Sequence, residues 1–328
     1  MSAKVSLGPQ PLVSILTPVY NNAENLAECI ESVLSQTYSN WEYTIVNNCS
    51  TDDSGRIAHE YAAKDPRIKV LDNTTYLEVY VNHNHVLRQV SPNAKYVKMV
   101  FGDDWIYPQC VEEMVAVAEE HPSVALVGAY GLEGKEVKWV GMQHPDTEIS
   151  GHEVCRRYFL EGMNVFGTAN SLLFRADIVR NRDPFYDESN LTADRETCVA
   201  LLRDHNFGFV YQVLTYSRLR AGSLNTVAAK INAYIAGTIN DLQLHGRAFL
   251  SEQEFNTCFN KLRSEYYNFL AISIFKGRRD PNFWSYHRNK LIKYGVGFSR
   301  RRLAKAALAR FFRAALNPHE TLQKLQKS

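Results

Sequence analysis

Over its first 130 residues the chain alternates short apolar, β-rich segments with stretches whose apolar residues recur at helical spacing, and no other feature restricts its fold as much. Val13–Thr17, Trp41–Val46, Ile68–Leu71, Tyr96–Phe101 and Val124–Gly128 read as strands. Between them lie helical stretches: Leu26, Ile30, Val33 and Leu34, then Ile57–Ala63, Asn82–Val90 and Cys110–Glu119. Asn21 and Glu24 are spaced as a capping pair for the first helix, and Asp52/Asp53 stand where a second cap belongs. Strands alternating with helices close through right-handed crossovers, so the pattern predicts an α/β fold with a doubly wound, mostly parallel sheet. Ligands of such sheets lie beyond the carboxyl ends of the strands. Three polar clusters fall on that edge: Thr17–Asn22, Asn47–Asp53 and Gly102–Trp105.

The third cluster holds Asp103 and Asp104, directly after an apolar strand. Carboxylates seldom end a core strand for packing reasons, because burying them unpaired is costly. Two readings stand: a cap for the helix that starts near Pro108, or oxygen ligands for a divalent cation held against a phosphate.

Beyond residue 130 the pattern loosens. Arg156–Leu160 and Asp194–Leu202 read as helices, Ser171–Phe174 and Phe207–Thr215 as strands. From about residue 225 the chain turns helical, and Ser251 with Glu254 has the spacing of a capping box. The expected organisation is an α/β domain over 1–222 and a helical C-terminal extension over 223–328.

Net charge is only +2, so no global field points to nucleic acid, but residues 281–319 carry nine Lys or Arg and no Asp or Glu. Within that segment the basic residues of 288–313 alternate with Leu303, Ala307, Leu308, Phe311 and Phe312, as in a helix lying on an anionic membrane surface. A terminal helix docked on the rest of the chain is the alternative. The six cysteines are scattered, without a CxxC pair, which fits a reducing compartment better than a zinc site or a disulfide framework. No apolar signal-peptide core opens the chain and no stretch is long enough to span a bilayer. The expectation is a cytoplasmic protein, with peripheral attachment at the inner face of the cell membrane if the basic tail binds there.

In this order, the strand with its Thr17-Pro18-Val19-Tyr20-Asn21 turn, the helix ending Ser32 to Tyr38, the polar turn Asn47-Asn48-Cys49-Ser50-Thr51-Asp52 and the strand-ending Asp pair resemble the family 2 glycosyltransferases, nucleotide-sugar enzymes of the GT-A (Rossmann-like) fold. The resemblance covers roughly residues 11–225. It implies that Thr17 and Tyr20 line the base pocket, with Pro18, Asn21, Asn47, Asn48 and Ser50 beside them. The family's second turn usually begins Asp-Asp; Asn can still accept a hydrogen bond but also donates and carries no charge. The substitution leaves base preference open; the resemblance still implies a uracil or thymine donor, UDP or dTDP, with guanine as the alternative.

The family's metal motif, Asp-x-Asp, falls on Phe101, Gly102 and Asp103. The resemblance makes Asp103 the ligand of Mn²⁺ or Mg²⁺ and Asp104 its supporting carboxylate, while Phe101 replaces the first Asp. A divalent cation there would stabilise the diphosphate leaving group. The family's acidic motif, which carries the base of an inverting reaction, matches Ala193-Asp194-Arg195-Glu196, so Asp194 is the expected base and Glu196 the alternative. In Tyr216 to Ser223, Arg220 stands where the family commonly has His; Arg218 and Arg220 are candidate diphosphate clamps. His83 and Asn84 stand where the family often has Arg-Asn. The implied function is transfer of a sugar from a nucleotide-sugar donor to a glycan or glycolipid acceptor. A non-catalytic nucleotide-sugar-binding protein and a nucleotidyltransferase are the competing readings. The second is disfavoured because Thr17–Asn22 lacks a Gly-rich, basic loop.

Overall fold

The computed structural model describes residues 10–142, 144–220, 224–276 and 279–316. The chain divides into two compact units, Met1–Thr226 and Val227–Ser328; residues 221–223, around the boundary expected from sequence, lie outside the described residues.

The first unit opens with the predicted alternation: β1 (Val13–Val19), α1 (Leu26–Leu34), β2 (Trp41–Asn47), α2 (Ser54–Ala62), β3 (Ile68–Asp72), α3 (Val79–Leu87) and β4 (Tyr96–Met99). A two-residue strand β5 (Trp105–Ile106), α4 (Cys110–Glu120), β6 (Val124–Glu133), β7 (Glu136–Lys138), β8 (Glu148–Ile149) and α5 (Gly151–Glu161) follow. The unit continues with β9 (Leu172–Arg175), α6 (Ala176–Arg180), α7 (Ala193–Leu201) and β10 (Asn206–Ser217).

These strands form one mixed sheet in the order β3-β2-β1-β4-β9-β6-β10-β5, with β7 on β6 and β8 on β10. The β3-β2-β1-β4 half is parallel throughout. Strand β9 runs antiparallel between β4 and β6, while β6 and β10 are parallel. The sheet is thus mostly parallel with an antiparallel insertion, the α/β GT-A-type architecture expected from sequence. Every residue of β1 is buried, as a central strand covered on both faces requires. Ile15, Ile45, Tyr43 and Val100 build the core with Leu26, Ile30 and Val33 of α1 and Met114 and Val115 of α4. These packed helices fix the carboxyl ends of β1, β2, β3 and β4 side by side, so the polar loops that follow them share one edge.

The capping pair proposed for α1 does not form. The helix starts later, at Leu26, with Asn25 as its N-cap residue, and Asn21 takes a left-handed conformation with φ 50°.

The second unit consists of helices: α8 (Leu224–Ile231), whose first residues precede the boundary, α9 (Ala233–His245), α10 (Glu252–Phe275), α11 (Pro281–Lys293) and α12 (Arg300–Leu316). Ser251 and Glu254 form the predicted capping box reciprocally at the start of α10. Ile239, Tyr266, Tyr267, Leu270, Phe283 and Leu291 make this unit's own core.

Candidate active site

The loops after β1 and β2 are laced to each other. The Asn21 amide donates to Ser50 Oγ at 3.0 Å, and Asn21 Oδ1 accepts from the Thr51 amide at 2.8 Å. The Asn22 and Ala23 amides donate to Ser54 Oγ at 2.8 Å and Asp52 Oδ2 at 3.0 Å. Asn47 Nδ2 donates to Asp72 Oδ1 at 2.8 Å while its Oδ1 accepts from the Ser50 amide at 3.1 Å. Asn48 clamps Leu77 from both sides, donating to its carbonyl at 2.8 Å and accepting from its amide at 2.9 Å. A carboxylate cannot make the donating half of that clamp, so Asn in place of the family's Asp has a local structural reason.

The clamp presents a residue that sequence reading missed. Tyr76, next to Leu77, rests against Tyr20 with ring centroids 4.9 Å apart, and both rings are largely exposed, at 47% and 43%. Its signal was an aromatic residue just beyond the third strand, on the same edge as the three polar clusters.

Several residues expected to touch a nucleotide are committed elsewhere. Thr17 is wholly buried and its hydroxyl bonds Tyr43 Oη at 2.8 Å; Pro18 lies inside β1, in register with Val46. Asn47 and Asn48 are buried, and with Asn21 and Ser50 they hold loops together, as above. Asn84 is 1% exposed; its Nδ2 donates to the Tyr186 carbonyl and its Oδ1 accepts from the Tyr186 amide, both at 2.9 Å. Asn84 therefore braces the 185–188 segment against α3. Of the residues of the first two turns expected to touch a nucleotide, Tyr20 is the one that is exposed.

At the end of β4, the two aspartates part company. Asp104 is buried, with Oδ1 accepting from the Arg218 amide at 2.8 Å and Oδ2 from Ser217 Oγ at 3.2 Å. It ties the Asp pair to the end of β10. Burial, and then the charge of Asp103, push its carboxyl up to about 7 against those donors. Asp103 is more accessible and pairs through Oδ2 with Arg220 Nε at 3.3 Å. Arg218 is spent: its Nη2 bonds Glu28 at 2.6 Å, its Nε bonds the Asp103 carbonyl at 3.0 Å, and it lies over Trp105. Of the two arginines expected to clamp a diphosphate, Arg220 is the more open, 40% exposed and paired with Asp103.

The metal motif thus offers one carboxylate, Asp103, with a guanidinium already on it. Both Asp104 oxygens have protein donors, and Phe101 and Arg220 cannot ligate. Among the described residues no group of three His, Cys, Asp or Glu side chains is placed to hold a metal ion. Asp103 fits a divalent cation only when a second ligand, such as a diphosphate, brings most of the oxygens, a sharing typical of Mg²⁺ sites.

The third part of the site is a row of rings. Phe101 stacks on His83 with centroids 5.2 Å apart and planes at 18°, so two of the positions where the chain departs from the family's charged residues meet each other. Burial pushes His83 down to about 4, which keeps the stacked ring neutral. His83 meets Tyr80 edge-on at 5.5 Å, and Tyr80 Oη donates to Asp194 Oδ1 at 3.3 Å. Tyr80, from α3, was not singled out by sequence. Asp194 is the second residue of α7, partly exposed, and its Oδ1 also accepts from the Arg195 amide at 2.9 Å. The positive end of the helix favours its charged form there. Glu196, the alternative base, is 5% exposed and faces Arg182 at 3.9 Å. One sheet edge therefore carries an exposed aromatic pair, a carboxylate–guanidinium pair and a partly open carboxylate backed by a tyrosine.

Comparison with known proteins agrees with this arrangement. Residues 14–185 match the family described as "Glycosyl transferase family 2". The Bacillus subtilis (strain 168) protein named "Putative glycosyltransferase EpsE" is 40% identical over 220 residues, 63% of this chain and 78% of that protein. Among solved structures, S. aureus TarS 1–349 in complex with UDP-GlcNAc superposes with a TM-score of 0.63 at 16% identity, covering 90% of this chain and 86% of that one. The mannosyltransferase PcManGT from Pyrobaculum calidifontis, in complex with GDP-Man and Mn²⁺, gives 0.54 at 15% identity, covering 97% and 84%. At such identities the two structures establish the shared fold.

Proposed function

Because the chain belongs to the family 2 glycosyltransferases, we propose that it moves one sugar from a nucleoside diphosphate donor to a hydroxyl of a glycan or glycolipid, with inversion, in the synthesis of a surface polysaccharide or glycolipid. The observation that carries this reading is the row Phe101, His83, Tyr80, which joins the strand end bearing Asp103 to the helix bearing Asp194. Each half of the chemistry then has its residue.

The donor's base lies on the exposed pair Tyr20 and Tyr76, whose stacking tolerates any base. UDP is the favoured carrier, since TarS of the same fold is seen with UDP-GlcNAc. The Asn48 clamp leaves no free carboxylate to select the base, so dTDP and GDP donors are the ones to test beside it.

As the glycosidic C–O bond breaks, negative charge builds on the diphosphate, and Arg220 is placed beside Asp103 to meet it. Mn²⁺ or Mg²⁺, entering with the donor, would be held by Asp103 and the diphosphate oxygens and would add positive charge at the leaving group. Asp194 takes the proton of the acceptor hydroxyl from the side opposite the leaving group. Tyr80 holds the Asp194 carboxylate in one orientation and favours its ionised form through the hydrogen bond it donates. The reading is tested by incubating the chain with UDP-, dTDP- and GDP-sugars and Mn²⁺ and assaying the freed nucleoside diphosphate. Turnover lost in Asp194→Asn is the expected result, whereas pyrophosphate as product overturns it.

A further inference from the structure

The second unit ends in a helix with two unlike faces. One face of α12 is spent on packing: Leu303 and Ala306, partly buried, lie against this unit's apolar cluster. The opposite face carries Arg301, Lys305, Leu308 and Phe312 at i, i+4, i+7 and i+11, a spacing that keeps them on one line along the helix. All four are exposed, Leu308 at 58% and Phe312 at 60%, and Phe311 beside them is at 57%. Surface phenylalanines in adjacent positions, with their rings open to water, are not explained by the folding of this unit, because Leu303 and Ala306 already supply its contacts.

The charge of α12 is all of one sign. Arg300, Arg301, Arg302, Lys305 and Arg310 are exposed on the same helix, and among the described residues no ion pair engages any of them. The cause lies in the sequence: residues 281–319 contain no Asp or Glu to serve as partners. No described helix is long and apolar enough to cross a membrane, so α12 does not insert lengthwise.

We infer that the outer face of α12 docks on an anionic lipid bilayer, with Arg301 and Lys305 against the headgroups, Arg300 and Arg302 at its flanks, and Leu308, Phe311 and Phe312 entering the interface. Two properties of the surface select this partner. A protein partner of fixed shape would need a groove with matched acids, whereas a fluid anionic surface satisfies unpaired cations wherever they fall. Adjacent aromatic side chains next to a basic cluster match the two layers of a bilayer interface, charged outside and apolar within. The inference rests on the second unit alone and is independent of the sugar-transfer reading.

The test uses the full chain and sedimentation with vesicles of phosphatidylcholine, alone or with about a third phosphatidylglycerol. The basic cluster should raise partitioning onto the anionic vesicles at least about tenfold, and about 0.5 M salt should remove most of that gain. Leu308→Glu with Phe312→Glu should lower binding to anionic vesicles about tenfold or more, and Arg301→Gln with Lys305→Gln should lower it less. Both pairs leave Leu303 and Ala306 in place, and circular dichroism checks that the helices are retained. Three results overturn the inference. One is wild-type binding that does not distinguish anionic from neutral vesicles. Another is anionic binding that is unchanged by Leu308→Glu with Phe312→Glu. The third is a wild-type dimer in light scattering that the same pair converts to monomer, since the face would then be covered by a second copy.

Discussion

Removing a single oxygen from Tyr80 isolates the contribution of the residue that backs Asp194. In Tyr80→Phe the ring keeps its edge contact with His83 at 5.5 Å and its tilted contact with Tyr186 at 5.6 Å, so packing is preserved. What disappears is one hydroxyl donor, shared between Asp194 Oδ1 at 3.3 Å and the Leu191 carbonyl at 3.4 Å. A hydrogen bond to a charged group contributes about 1.5–3 kcal/mol net, and a long, shared one belongs at the lower end, near 1.5 kcal/mol. That corresponds to roughly a tenfold fall in kcat. Tyr80 is 6% exposed and does not present itself to a donor, so KM for the nucleotide sugar should stay within about twofold. Asp194→Asn should cost about a hundredfold or more as loss of the general base. The decisive comparison is the double variant: if Tyr80 acts through Asp194, Tyr80→Phe costs almost nothing once Asp194 is Asn. Steady-state release of nucleoside diphosphate over a range of donor concentrations gives kcat and KM at all four corners of the cycle. Full additivity, or a change confined to KM, would refute the assignment.

Replacing Tyr20 or Tyr76 by Ala should each raise donor KM about tenfold, the lower range for loss of base stacking, with the double variant less than multiplicative because the rings touch. Arg220→Ala should cost at least about tenfold in kcat/KM yet move Tm by no more than about 2 °C, because a partly exposed pair contributes little to folding. His83 gives a pH signature. Burial holds the folded ring near 4 against 6.5 unfolded, so below pH 6.5 the unfolded chain takes up a proton that the folded one refuses. Stability present above pH 6.5 is lost towards pH 4, by about 3 kcal/mol at most. The gap between urea midpoints at pH 7 and pH 4.5 should be smaller in His83→Phe than in wild type; an unchanged gap would remove His83 as the cause.

The parallel half of the sheet could be read from residues because its signals are local: apolar runs such as Val13–Thr17 and Trp41–Val46 stand between helical spacings and polar turns. The antiparallel placement of β9 between β4 and β6 is a long-range pairing with no local mark. Lys98 shows the same limit: it sits in an apolar strand, yet it is fully buried, with Nζ bonded to the carbonyls of Asn170 at 2.6 Å and Leu172 at 3.2 Å. Those carbonyls lie more than seventy residues away in sequence. In the proposed site, motif position pointed to the sheet edge and to Asp103, Tyr20 and Asp194 as candidates, but it could not say whether each polar side chain faces solvent or its own chain. Thr17, Asn48, Asn84 and Arg218 all turned inward because a tertiary partner was within reach. Tyr76 and Tyr80 escaped notice for the converse reason, since an aromatic residue outside a motif carries no sign of what it will touch.

The central claim is that donor binding and proton abstraction reside in separate residues of one edge. It is tested most directly by measuring nucleotide-sugar affinity by calorimetry alongside nucleoside diphosphate release, in wild type, Asp103→Asn and Asp194→Asn. Asp194→Asn should bind donor as wild type does and release almost no diphosphate, while Asp103→Asn should lose donor affinity as well as turnover. Wild-type turnover in Asp194→Asn, or undiminished donor affinity and turnover in Asp103→Asn, would contradict the account.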